Sequence, residues 1–300
     1  MKYSKPALSF EQQVQLLASR GLQIDDLQRA AHYLAHINYY RLAGYCLPFE
    51  ADHATHQFRP GVCFDDVIAL YVFDRELRLL VLDAIERIEV SVRTQWAYHF
   101  AHAVSPHGYL DAQHAHSMRQ YARQLAILAT EVDGSKEAFV AHHRNKYDDP
   151  DMPPVWVACE MLSLGQLSQW FTLLKPMALR KRMSRCYRLD QQVLQSALHH
   201  LTYVRNICAH HARLWNREFV VTSSLPRKGV PLLISAIADR DSRQLYNTLC
   251  LIVHLMDCIN PGHSWRERLG KLIAEHKPDL NAMGFPSDWA TRDLWKGASP

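Results

Sequence analysis

Residues 201–217 concentrate side chains that bind phosphate and transfer protons. Arg205, Asn206 and His210 lie in this segment, followed by His211. A guanidinium holds phosphate through paired hydrogen bonds, and an imidazole titrates near neutral pH, so it can both take up and release a proton. These residue types fit chemistry on a phosphate group, although their density alone does not establish a function.

The spacing of this segment decides which side chains can act together. On a regular helix, residues five positions apart point about 140° away from each other, so Arg205 and His210 do not share a face. Asn206 and His210, four positions apart, do share one. The reach of a long arginine, a distorted turn, or a second copy of the segment would bring the first two groups together.

An earlier helical stretch carries a second set of charges. Glu86, Glu89 and Arg93 recur at helical spacing. The pair Glu89 and Arg93, four residues apart, stabilises an exposed helix by roughly a few tenths of a kcal/mol. A structural role is therefore the favoured interpretation. The functional alternative is that Glu89 or Arg93 faces Arg205 or His210 and orients it.

Three further basic or aromatic features are candidates for RNA contact. The segment Asn38–Arg41 mixes tyrosine rings with a cation, as in proteins that stack bases and hold phosphate. Tyrosines that close a helical bundle explain it equally well, so only Arg41 is retained as an RNA contact. His211 can touch substrate or lie on the surface. Arg213 and Arg217 can follow the RNA backbone or occupy a solvated helix end.

Neither a metal nor a cofactor is predicted. His199 and His200 resemble part of a metal site together with His210 and His211, yet no carboxylate or cysteine completes a ligand set at suitable spacing. The seven cysteines are scattered and include no C-x-x-C pair, which argues against a disulfide framework and a zinc knuckle.

Composition and charge set the broad class. The 300 residues are 48% hydrophobic and 21% charged, as in a folded globular protein. A formal net charge of +4 permits nucleic acid as a partner without demanding it, so any RNA contact should be local. No signal peptide and no run of apolar residues long enough to cross a membrane is evident, so we expect a cytoplasmic protein without a membrane partner.

Apolar periodicity and capping signals predict an all-α fold. Ser9 and Gln12 have the spacing of a capping box that starts a first helix ending at Ser19. A short helix is predicted after Asp25-Asp26. Residues 65–100 are predicted to form one long helix, or two joined by a slight kink near Phe73-Asp74. The remaining predicted helices are Met118–Val132, Val155–Leu174, Leu189–Leu201 and Leu232–Ile259. The basic run Arg180–Arg188 is interpreted as a solvated connector, and only Glu218–Thr222 alternates like a strand.

The spacing R-x4-H of residues 205–210 matches the signature of the HEPN ribonuclease superfamily, and other segments resemble its Abi-like (abortive infection) family. The resembling segments are INYYRL at 37–42, LYVFDRELR at 70–78, IERIEVSVRT at 85–94, PVW at 154–156 and RNICAHHARLWN at 205–216. They occur in one order and span about two thirds of the chain.

The resemblance implies a HEPN-like helical bundle with N-terminal and C-terminal helical extensions. It implies a homodimer in which two Arg/His motifs face one cleft and cut RNA without a metal. In that reaction the 2′-hydroxyl attacks the adjacent phosphorus and leaves a 2′,3′-cyclic phosphate. His210 serves as general base or acid, Arg205 stabilises the charge on phosphorus, and Asn206 orients the substrate or His210.

Two functions from different classes follow. The first is an endoribonuclease that acts in phage defence or as a toxin and is controlled by a cognate non-coding RNA or a protein antitoxin. The second is a non-catalytic RNA-binding or interaction module that keeps the dimer interface. The predicted organisation is an N-terminal helical segment at 1–60, a HEPN-like core at 61–262 and a C-terminal tail at 263–300.

Overall fold

The computed structural model describes residues 6–296, and within that range the fold is all-α, as predicted. The helices are α1 (Phe10–Ser19), α2 (Leu27–His36), α3 (Tyr39–Cys46), α4 (Phe64–Ala103), α5 (Met118–Gly134), α6 (Ala138–Lys146), α7 (Val155–Ala158), α8 (Leu164–Leu173), α9 (Met177–Cys186), α10 (Gln191–Ala209), α11 (Pro231–Ala236), α12 (Leu245–Ile259) and α13 (Trp265–His276). An antiparallel hairpin of β1 (Glu50–Asp52) and β2 (Gln57–Phe58) is the one sheet of the described residues.

The chain divides into two compact units. Among the described residues, the first comprises 6–77 and 272–278, and the second comprises 78–271 and 279–296. In the first unit α1 packs against α2. In the second, α10 packs against α8 and α9, α5 against α8, and α11 against α12. The 201–217 segment belongs to the second unit, so the helices around α10 position it.

Local capping signals predicted the first two helices correctly. The Ser9 hydroxyl accepts the Gln12 N–H, and the Gln12 side chain accepts the Ser9 N–H, which completes the capping box of α1. Asp26 caps α2 by accepting the Arg29 N–H at 2.8 Å. The region 65–100 forms the single helix α4 rather than two helices joined near residue 73.

Two interpretations between residues 155 and 188 were wrong. Val155–Leu174 is not one helix, because the chain leaves helical geometry after Met161 and α8 restarts behind an N-cap at Ser163. The basic run of residues 180–188 is not a connector, since its first part is the end of α9. Leu179 and Met183 are buried on one side of α9, which leaves its basic side chains on the other.

The prediction of one late helix was also wrong. The chain over Leu232–Ile259 breaks after α11, and the Asn247 side chain fixes the intervening turn by accepting the Ala238 N–H and donating to the Asp239 carbonyl. Glu218–Thr222, the one stretch that alternates like a strand, forms no strand, whereas residues 50–58 form the hairpin.

Candidate functional site

The Arg/His segment lies at the C-terminal end of α10. The His210 N–H still donates to the Asn206 carbonyl at 2.9 Å, so the helix is regular through Arg205 and does not contain a distorted turn. His211 then adopts a left-handed conformation with φ of 57°. Its N–H donates to Cys208, and the Ala212 N–H donates to Ile207 at 2.9 Å. These are the paired bonds of a Schellman motif, which ends the helix directly after the catalytic candidates.

Regular geometry separates the two principal candidates around the helix. Asn206 and His210 are exposed and share the solvent face of α10, as their spacing predicts. Arg205 is half-buried and projects about 140° away from His210. Arg205 Nη1 also donates to the Asn206 Oδ1 at 3.3 Å. Of the three mechanisms considered for bringing Arg205 and His210 together, the distorted turn is thus excluded.

Arg205 lies close to an acidic side chain of α4. The Glu89 carboxylate is 2.5 Å from Arg93 Nη2, and Arg205 adds a second positive charge within electrostatic range. Burial raises the pKa of the Glu89 carboxyl above its ordinary value, while the charges of Arg93 and Arg205 oppose that rise. Glu89 therefore lies within electrostatic range of Arg205, and a role for it in orienting Arg205 stays a prediction.

The start of α8 completes the surroundings of Glu89. The backbone amide of Leu164, in the first turn of α8, also lowers the pKa of the Glu89 carboxyl, because a helix N-terminus favours a negative charge. Arg93 donates to the Leu162 carbonyl through Nε at 3.1 Å and Nη2 at 2.7 Å, and its Nη1 is 3.6 Å from Glu160. The Glu89 carboxylate thus pairs with Arg93, lies near the start of α8 and is within electrostatic range of Arg205.

The role of the α8 start was missed from the sequence, although a signal for it was present. Ser163 and Gln166 form a second capping box of the same type as that of α1. Gly165 follows the cap, and a Cβ added there would lie 3.2 Å from the Thr202 Cγ2 of α10. A glycine at this position allows α8 to approach α10 closely, which brings the N-terminus of α8 near the motif-bearing helix.

Residues that follow the motif are held by the protein rather than fully solvated. Leu214 and Trp215 are buried, and Arg217 Nη1 donates to the Arg213 carbonyl at 3.1 Å. Asn216 has a φ of 37°, and its Oδ1 is buried without a hydrogen-bond partner in the described residues. The chain after the Schellman motif is thus anchored by apolar packing, while His211 remains exposed on its surface.

Comparison with known proteins identifies the family of the chain. The Abi-like protein family matches residues 32–216, more than half of the sequence. The chain belongs to the Abi-like family. Neither the curated proteins nor the solved structures gave a significant match. Membership in the Abi-like family suggests a role in abortive-infection defence.

The Abi-like match includes every candidate site residue, but the structure does not group them all. Glu89, Arg93 and Arg205 form one cluster, and Asn206 and His210 lie together on the exposed face of α10. Arg41 belongs to the first unit, where its side chain is exposed on α3. Within the described residues no group of three or more His, Cys, Asp or Glu side chains is arranged to hold a metal ion.

The Abi-like chain also shows no helix, over the residues described, with the length and apolar character needed to cross a membrane.

Proposed function

We propose that the protein is a metal-independent endoribonuclease of the HEPN type that acts in phage defence or as a toxin. The observation that carries this proposal is the position of Asn206 and His210 on the exposed face at the end of α10, close in the chain to Arg205, whose charge acts on Glu89. An exposed imidazole is accessible to a substrate proton, and a guanidinium stabilises a developing negative charge.

The proposed reaction is an internal transfer at phosphorus. A general base takes the proton of a ribose 2′-hydroxyl, whose oxygen forms a new bond to the adjacent phosphorus. The bond from phosphorus to the 5′-oxygen breaks, and that oxygen receives a proton. The products are a 2′,3′-cyclic phosphate and a 5′-hydroxyl. His210 supplies the base or the acid, Arg205 binds the phosphorane oxygens, and Asn206 orients the substrate.

The divergence of Arg205 and His210 supports a composite site in a homodimer. Because the two side chains project about 140° apart on a regular helix, two copies of the helix end facing one cleft would allow Arg205 to act with His210 of the partner subunit. Mixing Arg205→Ala with His210→Ala protein tests this arrangement. Partial recovery of cleavage supports it, and activity no greater than that of either variant alone contradicts it.

One observation favours a non-catalytic RNA-binding module as the second candidate. Arg205 donates to Asn206 and lies within electrostatic range of Glu89. A purely structural role for Arg205 is compatible with these interactions. Such a module would bind RNA with a steep salt dependence and yield no cyclic phosphate. Either function, operating in the cytoplasm, would require control by a partner, for which we propose a non-coding RNA or a protein antitoxin.

Cleavage of RNA by the purified chain in EDTA tests the proposed function. The wild-type protein should cut, and Arg205→Ala and His210→Ala should not. Arg123 on α5 and His142 on α6 are exposed residues of the same types, so Arg123→Ala and His142→Ala are matched controls that should cut normally. Undiminished cleavage by both motif variants would contradict the assigned site, and RNA binding without cleavage by the wild type would favour the second candidate.

A further inference from the structure

A polar groove lies between α8, α9 and α10, outside the cluster around Arg205. It has a volume of about 540 Å³ and opens to solvent. Glutamine side chains from α8 and α10 dominate its wall, together with serine and threonine hydroxyls, Arg180 of α9 and His199 of α10. None of the described side chains that line it is acidic. The groove is therefore suited to a neutral or anionic ligand that presents several hydrogen-bonding groups.

Two buried polar atoms at this groove have no hydrogen-bond partner in the described residues. Gln191 is only 6% exposed, and its Oε1 accepts no hydrogen bond. Arg180 donates from Nη1 to the Gln195 Oε1 at 3.4 Å, while its buried Nε has no acceptor. Buried polar groups are nearly always satisfied, so an unmet acceptor and an unmet donor at one groove indicate a ligand that supplies both.

The groove lies on the same side of α10 as the proposed catalytic face. Three exposed residues recur at intervals of seven and therefore lie along one side of α10. They are Gln192 and His199 at the groove and Asn206 beyond it. His210 follows Asn206 on that side. The groove and His210 are separated by about 20 Å along the helix axis. A single polar stripe, without an intervening acidic side chain, thus joins them on α10.

The chemistry of the groove favours a nucleotide over other ligands. Carboxamides form paired hydrogen bonds with the edges of bases, and a guanidinium binds phosphate. Gln191 and Arg180 offer these two groups within one recess. We propose that the groove is a nucleotide-binding subsite for the RNA strand whose scissile phosphate lies at His210. The assignment of the groove to an RNA strand that reaches His210 rests on the proposed ribonuclease function. Nucleotide binding in the groove can nevertheless be measured without cleavage.

Calorimetric titration with the four 5′-mononucleotides tests the groove directly. At least one should bind, and Arg180→Met and Gln191→Leu should each weaken it about tenfold, because each removes a hydrogen bond to a desolvated or charged partner. Arg123→Met and Gln120→Leu on α5 alter exposed residues of the same types and should not change the affinity. Circular dichroism confirms that all four variants are folded. Absence of binding by every mononucleotide, or equal binding by all variants, overturns the proposal.

A second arm separates a strand-binding subsite from a pocket for a free nucleotide. An RNA of roughly ten nucleotides should, like a mononucleotide, bind about tenfold more weakly to Arg180→Met than to the wild type, because the strand places one of its nucleotides in the groove. If only the mononucleotide is affected, the groove binds a free nucleotide and the strand assignment is wrong. Failure of cleavage with retained mononucleotide binding contradicts the ribonuclease proposal and not the groove.

Discussion

His200 within α10 and His210 at its C-terminal end have opposite surroundings. His200 is 2% exposed, and both ring nitrogens are bonded, Nδ1 to the Val221 carbonyl at 2.7 Å and Nε2 to the Thr248 hydroxyl at 2.8 Å. Burial lowers its pKa to about 4. His210 and His211 lie exposed past the helix end. Burial, and not residue type, thus separates His200, which is enclosed in the fold, from His210, which is accessible to solvent.

The largest expected effect is on catalysis at the exposed pair. His210→Ala should lower kcat/KM for RNA cleavage by about 10²–10⁴-fold, the usual contribution of a general acid or base. Its free energy of unfolding should stay within about 0.5 kcal/mol of wild type, since exposed side chains contribute little to stability. Parallel denaturant titrations and cleavage rates check this. If His210→Ala loses activity only because it also loses stability, the assignment of His210 to catalysis rather than to stability is contradicted.

The converse is expected of the buried histidine. His200→Ala should lower the free energy of unfolding by about 3 kcal/mol, because it opens a cavity and leaves the Thr248 hydroxyl and the Val221 carbonyl without partners. Urea denaturation measures the change. Cleavage per folded molecule should be retained, and a variant as stable as wild type would show that His200 is not a structural residue.

Lowering the pH should reveal the burial of His200 as a loss of stability. The unfolded chain protonates His200 near its ordinary pKa of 6.5, whereas the folded chain resists protonation until about pH 4. Its contribution to stability is therefore complete above pH 6.5 and is lost as the pH falls toward 4. The gap in unfolding free energy between wild type and His200→Gln should shrink by about 3 kcal/mol over that range. A gap that is independent of pH would contradict the lowered pKa.

A smaller effect on catalysis is expected from substitution of Glu89, whose charge interacts with that of Arg205. Glu89→Gln should lower kcat about tenfold with little change in KM, since the amide keeps the side-chain volume but loses the charge that orients Arg205. Glu86, exposed on the same helix, supplies the matched control Glu86→Gln, for which both constants should be unchanged. If kcat and KM are the same for the two variants, Glu89 does not orient Arg205 and serves only as an ion-pair partner of Arg93.

The sequence predicted features that depend on neighbouring residues and missed those that depend on distant ones. The capping box at Ser9 and the divergence of Arg205 from His210 follow from local geometry, and both agree with the structure. The break before α8 does not follow from hydropathy, because Arg93 binds the Leu162 carbonyl from a helix 69 residues away in sequence. The burial of His200 likewise depends on Thr248, 48 residues later.

The most direct test of the central claim is the chemistry of the RNA ends formed in EDTA. The account predicts that wild-type protein leaves 2′,3′-cyclic phosphates and 5′-hydroxyls, that His210→Ala leaves neither above background, and that His200→Gln leaves them at a normal rate per folded molecule. Cyclic phosphates that persist in His210→Ala, or products with 5′-phosphates, would contradict it.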